Sequence, residues 1–69
     1  MRVKIVENLI AALIGYFGDE SVPKDDQSLL DLAKRIEGKE VNLIPTGSYH
    51  YEENDPEQWW IPSTAWETI

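Results

Sequence analysis

The chain has no cysteine, so neither a disulfide framework nor a thiolate site can staple it. A fold of 69 residues must then be held by its apolar side chains alone. That length allows one core, because a chain of about 60 residues buries only about 60% of the surface its unfolded state exposes. Ordering costs roughly 1.5 kcal/mol per residue, and burial must come close to offsetting all of it. Three Trp, three Tyr and one Phe supply the large rings, each able to bury about 150–250 Å². The expectation is a single domain over residues 1–69, whose stability gains from a partner protein or from a homodimer. The missing cysteines also point to a reducing, cytoplasmic compartment.

The longest apolar run, Leu9 to Phe17, is interrupted by Gly15 and is about half of what a bilayer crossing needs. Glu7 and Asn8 break the pattern of a signal peptide. No membrane partner is expected.

The apolar period changes along the chain, and the changes mark the elements. Val3 and Ile5 alternate with Arg2 and Lys4, the period-two signature of a half-buried strand over Arg2 to Val6. From Asn8, Leu9, Leu13 and Phe17 recur at four-residue spacing, with Asn8 and Gly18 suited to the caps. This spacing fits a short helix, although Gly15 and the β-branched residues leave a continuing strand open. A loop runs from Gly18 to Pro23. Leu29, Leu32, Ala33 and Ile36 form a helical stripe, with Asp25 or Asp26 at its start, Lys34 and Arg35 in its last turn and Gly38 as its stop. Beyond Gly38 the pattern returns to strands. Val41 and Leu43 alternate with Asn42, Pro45 to Ser48 reads as a turn, and Tyr49 to Glu53 alternates again. Asp55-Pro56-Glu57 fits a type I turn, Gln58 to Ile61 reads as a third strand, and Ser63 or Thr64 can start a single helical turn.

The segment Trp60-Ile61-Pro62-Ser63-Thr64-Ala65-Trp66-Glu67-Thr68-Ile69 resembles the last part of SH3 domains, where a strand runs through an Ile-Pro-Ser step into a short helical turn and a final strand. It covers about ten residues. The resemblance implies an aromatic groove for proline-rich ligands, with Pro62 the one lining residue that carries over. The groove tyrosine after the step is replaced here by Ala65, and Trp59 and Trp60 abut the step where the family's paired Trp lies well upstream. The expected fold class is α+β: a small antiparallel β-meander, or an SH3-like partly open barrel, with one or two helices packed on it.

Candidate reactive groups are few. His50 is the only histidine; its strand neighbours Tyr49 and Tyr51 point to the opposite face, and Glu52 alone shares its own. It reads as a solvated strand histidine. The acidic stretch Glu52, Glu53, Asp55, Glu57 contains Pro56 and lacks the glycine of a calcium loop, so no metal is expected. The carboxylate pairs Asp19/Glu20, Asp25/Asp26 and Glu52/Glu53 sit in loops with little burial to split their pKa values, and they read as caps and solubilising charge. Ser48 and Ser63 show no nucleophile motif, and the four glycines are too scattered to cradle a phosphate. No catalytic residue and no cofactor is expected, and the chain reads as non-enzymatic.

What the sequence offers instead is rings and charge. Residues 1–39 hold all six basic groups against seven acidic ones, whereas residues 40–69 hold six acidic groups and no basic one, within a total of −7. Such a field disfavours direct nucleic-acid contact and favours a basic protein surface. Tyr49 and Tyr51 share a strand face with one of Trp59 and Trp60, which leaves another large ring for the opposite face. The expected partner-binding set is Tyr49, Tyr51, Trp59 and Trp60 with Glu52, Glu53, Asp55, Glu57 and Pro62 around them. The leading reading is an acidic protein-binding module that engages a basic partner. The alternative, resting on size and charge, is a nucleic-acid mimic that inhibits a nucleic-acid-binding protein, as small acidic phage proteins aimed at CRISPR or restriction enzymes do.

Overall fold

The computed structural model describes every residue from Met1 to Ile69. In chain order it contains strand β1 (Arg2–Ile5), helix α1 (Leu9–Phe17), a 3₁₀ turn (Asp19–Ser21), helix α2 (Gln27–Ile36), strands β2 (Glu40–Thr46) and β3 (Tyr49–Glu52), a second 3₁₀ turn (Ser63–Ala65) and strand β4 (Trp66–Thr68). The sheet is antiparallel throughout, in the order β3-β2-β1-β4. Its two edges share no ladder, so the sheet stays open and the fold is a small α+β arrangement.

Both helices end where their caps dictate. Asn8 Oδ1 accepts from the Ala11 amide at 3.3 Å, and Glu37 Oε1, arriving from the end of α2, accepts from the Leu9 amide at 3.0 Å. A carboxylate at that end also complements the helix dipole. Asp26 caps α2 through the Ser28 amide at 2.9 Å, and Lys34 and Arg35 fill the last turn. Leu29, Leu32, Ala33 and Ile36 are buried as the stripe requires. Each of its three larger side chains contributes about 1.5–3 kcal/mol of burial free energy.

The helices cover one face of the sheet. Val3, Ile5 and Leu43 point into the core with Leu9, Leu13, Leu29, Leu32 and Ile36, while Arg2, Lys4 and Ile44 face out. Ile61 and Ala65 close the same core from the C-terminal segment.

Three features differ from the expected strand pattern. Pro45 and Thr46 continue β2 instead of turning, so the hairpin loop is only Gly47-Ser48, with Gly47 at φ 59°. Proline fits there because the Leu43 amide donates to the Met1 carbonyl, so the Pro45 nitrogen points to that same side, beyond the last β1 partner, Asn42. No ladder bond is lost. Gln58 to Ile61 is not a strand: only the Ile61 amide reaches β3, at the His50 carbonyl, 2.9 Å away. The fourth strand is instead Trp66–Thr68, whose three residues pair with the free edge of β1.

Candidate protein-binding site

The segment that failed to become a strand is organised by one buried carboxylate. Asp55, 6% exposed, accepts from the Glu57 amide at 3.0 Å and the Trp59 amide at 2.8 Å, and its carbonyl accepts from Gln58 at 3.2 Å. That last bond closes the turn whose second position is Pro56. Gln58 is held at φ 54°, the one non-glycine residue in the left-handed region. Backbone held this way costs of order 1–3 kcal/mol and persists only where its surroundings enforce it. Here the Asp55 carboxylate supplies that enforcement.

The consequence is that the two adjacent tryptophans diverge. Trp59 packs against the core and donates its indole N–H to Ser28 Oγ at 3.2 Å; Ser28 Oγ in turn donates to Asp26 Oδ1 at 2.6 Å. Trp60 is 50% exposed and stacks on Tyr49, with centroids 4.6 Å apart and planes 21° apart. Its ring centroid is 6.2 Å from that of Phe17, which meets exposed Tyr16 edge-on at 4.8 Å. A run of rings therefore crosses from β3 to the end of α1.

Beside this run opens a cleft of about 480 Å³, walled by Leu13, Phe17, Val22, Leu29, Trp59 and Trp60. Ser21, Pro23, Glu57 and Gln58 complete its lining. The 3₁₀ turn carrying Asp19 and Glu20 leads into Ser21, and Asp25 and Asp26 follow Pro23 and Lys24. Lys24 is tied to Asp19 at 2.7 Å. Glu57 is thus the one carboxylate in the lining itself, while Glu20 and Asp25 lie next in sequence to lining residues or their neighbours and Asp19 and Lys24 offset each other.

The expected binding residues separate into two groups. Tyr49, Trp60 and Glu57 stand together at the ring stack and the cleft, and Trp59 forms one cleft wall. Glu52 and Asp55 do not rim the rings, because both are buried and occupied. Glu52, 2% exposed, meets Arg35 Nη1 at 2.6 Å and accepts from the Asn54 amide at 3.1 Å. Exposed Glu53 is held by Asn42 Nδ2 at 2.7 Å, Tyr51 lies half-buried opposite Ile44, and Pro62 starts the second 3₁₀ turn outside the cleft. The one carboxylate that lines the cleft is Glu57, and Asp19, Glu20, Asp25 and Asp26 lie within the α1–α2 connection that also supplies Ser21, Val22 and Pro23.

His50 does not stand free in solvent and does not pair with Glu52. It is half-buried, with its ring edge-on to Trp66 at 5.8 Å. No group of three or more His, Asp or Glu gathers at metal-binding spacing. No helix is long and apolar enough to cross a membrane. Leu13, Phe17, Val22 and Leu29 were not foreseen as site residues. Their only local signal is Val22-Pro23, an apolar pair inside a loop.

Comparison with protein-family models, with curated proteins and with solved structures finds no match to this chain.

Proposed function

We propose that this chain is a non-enzymatic protein-binding module whose aromatic, acidic surface engages a basic partner protein. The observation that carries the reading is Trp60, half-exposed on Tyr49 at the mouth of an apolar cleft, in a chain of net charge −7. Tryptophan and tyrosine dominate interface hot spots because they bury a large area while losing few rotamers. A chain this short has few rings to spare from its core, so a half-exposed tryptophan forgoes stabilisation that its own fold could use. The Asp55 bonds fix the loop in advance, which lowers the ordering cost of binding.

A nucleic-acid mimic needs carboxylates displayed to solvent in place of phosphates. Two of the six acidic groups beyond residue 39, Glu52 and Asp55, are buried within the fold. The other four, Glu40, Glu53, Glu57 and Glu67, stay exposed, so it is the exposed Trp60 and not the charge display that favours the aromatic reading.

The test is capture of partners from extract of the source cell by the intact chain and by Trp60→Ala, each at low salt and at about 0.5 M salt, where the screening length falls to a few Å. The expected result is a basic protein retained at high salt, indifferent to added duplex DNA and lost with Trp60→Ala, while that variant keeps a cooperative melt. A partner displaced by DNA and indifferent to Trp60 would turn the assignment to mimicry.

A further inference from the structure

We infer that the cleft beside Trp60 receives one large apolar side chain from a partner segment whose flanking residues are lysine or arginine. The inference rests on the reading of a basic partner given above, and it names what that partner must present. At about 480 Å³ the cleft has the size of a small-ligand pocket, and its walls are Leu13, Phe17, Val22, Leu29, Trp59 and Trp60. Leu13, Val22 and Leu29 are already buried by the fold, so the apolar area still open to an occupant is that of Phe17, Trp59 and Trp60, and covering it rewards an apolar group, not a charge.

The margin selects the neighbours of that group. Glu57 lies in the lining itself, and Asp19, Glu20, Asp25 and Asp26 are carried by the segments that supply Ser21 and Pro23. Lys24 is neutralised by Asp19, and none of Lys4, Lys34 and Lys39 lines the cleft. An acidic segment would meet Glu57 in the lining and a chain of net charge −7, so the charge pattern works both for basic partners and against acidic ones. The exposed part of the Trp60 ring adds a surface over which a guanidinium or ammonium group can sit.

The cleft is also built before its occupant arrives. Trp59 is fixed through its backbone by Asp55 and through its indole by Ser28. Tyr49 supports Trp60 from behind. One wall is therefore a braced pair of rings, and the rest of the lining comes from Leu13 and Phe17 of α1, Leu29 of α2 and the connection between them.

The experiment titrates the ¹⁵N-labelled chain with peptides Gly-Lys-Lys-X-Lys-Lys-Gly, where X is Leu, Met, Phe or Ser, following amide and indole signals. The leucine, methionine and phenylalanine peptides are expected to bind about tenfold or more tightly than the serine peptide, a margin that burial of one side chain supplies. Their shifts should fall on Leu13, Val22, Leu29 and the Trp59 indole, and Glu57→Lys should weaken them about threefold or more. Binding equal for all X, with shifts confined to the acidic positions, overturns the cleft inference but leaves the basic-partner reading standing. Tighter binding by Gly-Glu-Glu-Leu-Glu-Glu-Gly overturns both. No saturable binding by any peptide below about 5 mM overturns the cleft inference alone, since Trp60-dependent capture of a basic protein is scored separately.

Discussion

Trp59 and Trp60 are adjacent in sequence and opposite in role: the first hydrogen-bonds to α2 through Ser28, and the second leans outward on Tyr49. The difference predicts unequal costs of truncation. Trp59→Ala removes a core contact and leaves the Ser28 hydroxyl without its donor, so about 2–4 kcal/mol of stability should be lost. Trp60→Ala removes a stacked pair at the surface and should cost about 0.5–1.5 kcal/mol. Urea unfolding of the two variants checks this, and equal losses would mean that Trp60 belongs to the core.

Arg35 joins α2 to β3 through Glu52, and the two ends of the pair differ in exposure: the arginine side chain is 43% exposed and the glutamate 2%. Arg35→Met leaves a buried carboxylate with only the Asn54 amide against it, and should cost about 2–4 kcal/mol. Glu52→Met releases a guanidinium that can turn to water, and should cost less, about 1 kcal/mol. The double variant should recover most of the loss, because two apolar side chains replace the ion pair. A double-mutant cycle by chemical denaturation reads the coupling, and strict additivity would remove the ion pair from any account of this fold.

Two glycines should respond in opposite directions. Gly15 lies inside α1 with nothing within 4 Å of where a Cβ would stand, so Gly15→Ala should raise stability by about 0.5–1 kcal/mol. Gly38 takes φ 69° at the end of α2, where a Cβ would stand 3.4 Å from Glu7 Cγ. Gly38→Ala should therefore cost about 1–2 kcal/mol. Melting curves of the two variants distinguish these signs directly.

The helices were legible because their determinants are local. Asn8 and Asp26 cap within three residues of themselves, and Gly18 and Gly38 follow the last apolar positions of their stripes. The C-terminal third was less so. Gln58 to Ile61 has strand composition, but the Asp55 carboxylate captures the Trp59 amide and turns the backbone away from a ladder. Trp66 to Thr68 is too short to show a period, and it becomes a strand because β1 offers an unpaired edge. The same distinction governs the site. The two tryptophans do diverge, but through the Asp55-held loop and not through the strand alternation expected for Gln58 to Ile61, and burial of Glu52 depended on Arg35, a residue on another element. Phe17 and Leu29 became cleft walls only once α1 and α2 packed beside the tryptophan loop.

Asp26 ties the start of α2 to the Trp59 indole, and its titration should be visible in the pH dependence of folding. Its carboxyl is held below the ordinary value of 3.8 chiefly by the hydrogen bond from the Ser28 hydroxyl; desolvation opposes this, and the Ser28 and Leu29 amides add to the lowering. A depressed folded value means that the native state favours the charged form. The contribution is therefore fully present above 3.8 and is lost as the pH falls through the lower folded value. Asp26→Asn keeps a good cap acceptor but cannot titrate, so its melting temperature should lie close to the parent's at pH 7. Between about pH 4 and pH 2 the parent should lose stability more steeply than the variant. Thermal melts followed by circular dichroism across that range check the difference, and parallel slopes would show that the Asp26–Ser28 bond does not favour the charged carboxylate in the folded protein.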